Sequence, residues 1–171
     1  MIKLGFNKFS IIPIVKEHLK TFKKVDGNYF IKDLIIILGI PFLGMVIFNC
    51  IFKEGLPNNI INSLLTVFTI LTPLLFTLLP LIYSLIENKY VSSKGRFLLR
   101  EFKANTLFTI VLSFIFLIIL LICSLEYYRI LLSLIIYFLF IEIILHLCLI
   151  IIRFNILMDS LIELQNKYDN N

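Results

Sequence analysis

Four long apolar runs constrain this chain more than any other feature: Leu34 to Phe52, Ile60 to Ile86, Thr106 to Leu125, and Ile130 to Ile152. Each is close to or above the roughly 20 residues that a helix needs to cross a hydrocarbon core. In lipid no backbone group can go unpaired, so such runs are helices unless they close into a barrel. No period-2 alternation supports a barrel. The expected fold is therefore an all-α membrane protein, with four transmembrane helices at 34–52, 60–86, 106–125 and 130–152. Composition agrees: 60% of the residues are hydrophobic and mean hydropathy is +1.00, against an apolar share of about 45–50% in soluble domains.

Basic residues are distributed very unevenly. Seven lysines precede the first run, and five Lys or Arg lie between the second and third. The short loops after runs one and three hold one each, Lys53 and Arg129, and the tail holds Arg153 and Lys167. The positive-inside rule then puts both termini and the middle loop in the cytoplasm, as expected in a bacterial inner membrane. Residues 1–33 have no continuous apolar core, so no cleavable signal is expected. The net charge of +5 becomes almost entirely a property of the cytoplasmic face.

Three extramembrane segments have a readable pattern. "SIIPIVKEHLKTFKKV" predicts an amphipathic helix within the basic segment 1–33. Pro13 sits in its first turn, and Ile12, Val15, Leu19 and Phe22 recur at helical spacing. Lys16, Lys20, Lys23 and Lys24 occupy much of the rest, before a turn at Asp26 to Asn28. The middle loop, "NKYVSSKGRFLLREFKAN", predicts a helix capped by Ser92 or Ser93 that carries Lys94, Arg96, Arg100 and Lys103. Beyond Ile152 the tail, 153–171, keeps a Leu157, Leu161, Leu164 stripe and continues the fourth helix into the cytoplasm. The two basic patches share one side of the membrane. They suit either anionic lipid headgroups or a bound anion such as a nucleotide or oligonucleotide, and both readings stay open.

The second run holds the most regular polar pattern. Asn62, Thr66, Thr69, Pro73, Thr77, Pro80 and Ser84 follow at steps of three or four, which places them on one side of a helix with Thr72 close by. Pro73 frees the carbonyl of Thr69, and Pro80 that of Phe76. Such a face should avoid lipid. Either the hydroxyls bond their own backbone or pack against a neighbouring helix, or the face lines a hydrated path. A pore needs several copies, because four helices enclose little space. In the fourth run Glu142 and His146 are ionisable at i, i+4, with Arg153 further along the same face. Such residues normally face protein or water, as a locking pair or a proton relay. In the first run Gly39 and Gly44 flank Pro41 and suit close approach to a neighbour.

Several classes lack support. There is no Walker, GxGxxG, HExxH or GxSxG motif, so no enzyme activity and no cofactor is expected. Cys50, Cys123 and Cys148 form no CxxC pair, and two ligands at Glu142 and His146 are too few for a metal site. The whole-chain architecture, with the "NSLLTVFTILTPLLFTLL" character of run two, resembles small four-helix membrane effectors of bacterial anti-phage defence, most nearly the channel effector of Hailong-type systems. That resemblance implies a homo-oligomeric ion channel in the cell inner membrane. Its gate would respond to a cytoplasmic oligonucleotide made by a partner nucleotidyltransferase. The alternatives are a non-channel assembly subunit that recruits a cytoplasmic partner, and a small transporter or holin-like protein.

Overall fold

A computed structural model describes residues 11–22, 31–51, 55–87, 93–125 and 129–169. Its elements are α1 (Ile12–Lys20), α2 (Ile31–Ile51), α3 (Asn58–Glu87), α4 (Ser93–Cys123) and α5 (Arg129–Asp169), and no strand occurs among the described residues. Lys23, Lys24 and the Asp26 to Asn28 turn lie outside the described residues, and the side chains of Lys94, Leu161 and Leu164 outside the described side chains.

Three helices are long and apolar enough to cross a membrane, over Asn58–Ile86, Gly95–Cys123 and Leu131–Asp159. The chain is thus a multi-pass, all-α membrane protein. In α2 the apolar stretch among the described side chains is Ile35–Ile51, shorter than in the other three helices. Neither the middle loop nor the tail forms a separate element. The basic stretch from Ser93 runs into the third apolar run as one helix, and α5 continues unbroken past Ile152. No proline or glycine interrupts α5, and its 41 residues extend about 60 Å at 1.5 Å per residue, twice a hydrocarbon core.

The helices pack as a row rather than a closed ring. α4 lies in the centre with α3 on one side and α5 on the other, α2 flanks α5, and α1 rests on α4. Though adjacent in sequence, α2 and α3 make no close backbone approach among the described residues. The α2–α3 connection is drawn toward α5 instead: Gly55 takes a φ of 84°, a region where a Cβ is strained. The next residue, Leu56, is buried and donates its N–H to Ser133 Oγ at 2.9 Å.

Two apolar clusters fill the row. One holds Ile61, Phe68, Phe116, Leu120, Ile136 and Ile143, with the Phe68 and Phe116 rings edge to face at 4.5 Å. The other holds Leu75, Ile82, Leu99, Phe102, Ile110, Ile150 and Leu157. Gly44 lets α2 lie against α5, since a Cβ there would collide with Ile141, while Gly39 meets only its own helix.

α1 departs from its expected face. His18 and Phe22 are buried against the bundle, while Ile12 and Leu19 are exposed. Hydrogen bonding chose the histidine over the aliphatic stripe, for reasons given below.

Candidate functional site

The seven stripe positions of α3, Asn62, Thr66, Thr69, Pro73, Thr77, Pro80 and Ser84, are all exposed on the surface of the subunit. Thr72 departs from them: it turns inward and is buried. The hydroxyls are occupied locally. Thr66 donates to the Asn62 carbonyl at 2.9 Å, Thr69 to Leu65 at 2.7 Å, Thr77 to Leu74 at 2.7 Å and Ser84 to Leu81 at 2.8 Å. None goes to the carbonyls of Thr69 or Phe76, which Pro73 and Pro80 deprive of their helical N–H. The stripe therefore presents hydroxyls and two carbonyls that lack their i+4 N–H partner, flanked by the exposed Val67 and Ile70. α3 sits at the end of the row, so no other helix of the subunit covers this face.

The two basic segments meet within one chain. α1 and α4 together line an open cavity of about 460 Å³ with Glu17, Lys20, Thr21, Phe97, Arg100, Glu101, Lys103 and Ala104. Lys20 and Arg100 are exposed, and Lys103 Nζ lies 4.7 Å above the Tyr83 ring of α3. Lys16 and Arg96 are also exposed but do not line it. The cavity is of mixed charge, although Glu101 is already engaged: Arg153 of α5 donates to its Oε2 at 3.0 Å. Phe97 is 62% exposed and offers a flat face at the rim.

The ionisable pair of α5 is buried, Glu142 at 6% exposure and His146 at 0%. Its partner comes from a residue that periodicity did not single out. His18 of α1 donates from Nδ1 to Asn105 Oδ1 at 2.8 Å, and its Nε2 faces His146 Nε2 at 3.1 Å. The Phe108 ring stacks on His18 at 4.0 Å and 4°. Burial, then the facing His146, push the His18 pKa down to about 4, with Arg153 adding to the depression and the Asn105 bond opposing it. A histidine placed between lysines in sequence reads as surface. The signal that could have found it was Asn105, Thr109 and Ser113 at four-residue spacing on α4, a polar line that needs buried partners. No cluster of three His, Cys, Asp or Glu able to hold a metal occurs among the described residues.

No described protein family, curated protein or solved structure matches the chain.

Proposed function

We propose that the chain is one subunit of a homo-oligomeric ion channel in a bacterial inner membrane, with the α3 stripe turned toward the axis. The observation that carries this reading is the stripe itself, exposed along its whole length and supplied with two proline-freed carbonyls. In lipid those acceptors are costly; toward water or a neighbouring copy they are satisfied. The termini and the α3–α4 connection are assigned to the cytoplasm by their lysines and arginines, and α2 serves as the fourth span. The cavity of Lys20, Arg100 and Lys103 is the ligand site, taking a phosphate-bearing nucleotide or oligonucleotide, with Phe97 as a stacking surface for a base. This is the arrangement implied by the likeness to anti-phage channel effectors. Binding and gating suffice, and no catalytic step is involved.

The test is aqueous thiol labelling in a background with Cys50, Cys123 and Cys148 replaced. Cysteines at Thr66, Thr69 and Thr77 should react in the open channel, while those at Val67, Ile70 and Leu78 stay protected in lipid or protein. Equal reactivity on both faces would remove the pore. Protection of both would favour a second reading, a dry interface between copies, which draws support from the hydroxyls being bonded to their own helix. For the ligand, oligonucleotide binding in neutral detergent should saturate and fall steeply with salt, and Lys20→Gln with Arg100→Gln should abolish it while leaving assembly intact. Binding that persists in that double variant would move the ligand elsewhere.

A further inference from the structure

Counting protons at the buried histidines leads to a second site. His146 Nδ1 lies 2.8 Å from the Glu142 carbonyl, which can only accept, so that nitrogen carries a hydrogen. His18 Nδ1 likewise donates to Asn105 Oδ1. Both Nε2 atoms are then left with a lone pair each, 3.1 Å apart, and two facing lone pairs at that distance repel unless a proton lies between them. One proton closes the chain Asn105–His18–His146–Glu142 carbonyl with every ring nitrogen satisfied. A carboxyl oxygen of Glu142 lies 3.6 Å from His146 Nδ1, and its other oxygen has no partner among the described residues.

We propose that His18 and His146 form a buried one-proton site that fastens α1 to the α4–α5 seam, and that a second proton releases α1. Two protons would set N–H against N–H at 3.1 Å inside a dry contact. The surroundings do little to relieve that. On α1 the flanking charges in sequence are Glu17 and Lys20, and on α4, beside Asn105, they are Glu101 and Lys103; on α5, Arg153 acts on His18 and Glu142 lies beside His146. Glu101 is held by Arg153, and Glu142 stands on the Nδ1 side of His146, away from the contact. The described side chains of α2 include no acid, base or histidine.

The direction follows from linkage. With His146 keeping the shared proton in both forms, released His18 takes a proton of its own near its ordinary value of 6.5, whereas docked His18 resists one down to about 4. Docking therefore weakens as pH falls between the two, by up to about tenfold per unit. Release would also dismantle the basic cavity, because Glu17, Lys20 and Thr21 leave with α1. The site stands independently of the pore and of the nucleotide, and its test uses neither.

The experiment is amide hydrogen exchange of α1 in the full chain in lipid nanodiscs, from about pH 7.5 to about pH 4.5, corrected for intrinsic chemistry. Protection of Ile12–Lys20 should fall by up to about tenfold per unit below about pH 6.5, while α4 and α5 stay protected. In His18→Gln the α1 protection should be independent of pH. A flat profile in the native chain, or the same slope in His18→Gln, overturns the proposal. Because the variant could undock altogether, ¹⁵N imidazole spectra of the native chain provide a second measurement. At neutral pH both Nδ1 atoms should carry hydrogen. An unprotonated His18 Nδ1 would mean that Asn105 presents its amide nitrogen and the chain is neutral, against the proposal. So would spectra that change on adding EDTA, which would mark a metal between the rings.

Discussion

Helices α3 and α4 carry polar residues at the same helical spacing and place them in opposite environments. On α3 the line from Asn62 to Ser84 faces out of the subunit. On α4, Asn105, Thr106, Thr109 and Ser113 are all fully buried in the seam with α5. Position in the row decides this: α4 has helices on both sides, whereas the backbone of α3 closely approaches only α4 and its back is uncovered. A polar line on a central helix finds partners within the chain, through Asn105 to His18 and Thr109 to the Asn105 carbonyl at 2.8 Å, although Asn105 Nδ2 and Ser113 Oγ have none among the described residues. A polar line on an edge helix bonds its hydroxyls to its own backbone and faces whatever lies outside the subunit. The same periodicity thus marks internal cohesion in one helix and an outward face in the other.

The sharpest way to break this comparison is to make both lines apolar and read conduction. Replacing Thr69 and Thr77 together by Leu should cut ion flux in reconstituted liposomes by about a hundredfold, since a ring of such side chains dewets a narrow path. Thr106→Val with Thr109→Val should leave flux unchanged for any protein that assembles. Loss of flux from the buried pair alone would reverse the two roles.

The next effect lies at the cytoplasmic end of the seam. Glu101→Leu leaves the Arg153 guanidinium without its carboxylate. A fully buried pair loses several kcal/mol on such truncation, and this one is 13% and 20% exposed, so about 2 kcal/mol is expected. Thermal unfolding in detergent measures it, and adding Arg153→Met should recover most of the loss. No recovery would mean that Glu101 acts through something other than Arg153.

How much of this could be read in advance follows the same divide. The apolar runs and the α3 stripe were legible because they are local: their period lies within one helix, and no partner is needed to see it. The row was not legible, since a connection as short as residues 52–57 predicts packed neighbours, and only the Leu56 to Ser133 bond shows that the connection leans on α5. His18 was not legible either. Ile12 and Leu19 have the better helical spacing, but aliphatic contact with lipid differs little from contact with protein, whereas a buried hydrogen-bonded ring has one place to go. The Arg153 to Glu101 pair spans two helices and left no trace in either.

Gly44 tests the weakest side of the row. A Cβ there meets the end of the Ile141 side chain, which has some freedom to turn, so Gly44→Val should cost about 1–2 kcal/mol through overpacking between α2 and α5. Ile141→Ala in the same chain should restore part of it. Because α2 is far along the row from α3, cysteine labelling at Thr69 should not change. Altered labelling would mean that the two ends of the row move together.

The smallest effect separates structure from function on the stripe itself. In Thr66→Val the hydroxyl bond to the Asn62 carbonyl is lost, but that carbonyl keeps its main-chain partner, the N–H of residue 66. Such back-bonds contribute little and even bend helices slightly, so unfolding should shift by less than about 0.5 kcal/mol. Thr72→Val, although buried, should behave in the same way, because its bond to Phe68 is of the same kind. The two should part in a hydration measurement. A probe of water contact at position 66, such as solvent exchange of a ¹⁹F-labelled side chain, should report water in the open channel, and the same probe at position 72 should report none. Equal water contact at both would mean that the inward turn of Thr72 does not separate wet from dry. The face of α3 that meets water would then be wider than the stripe.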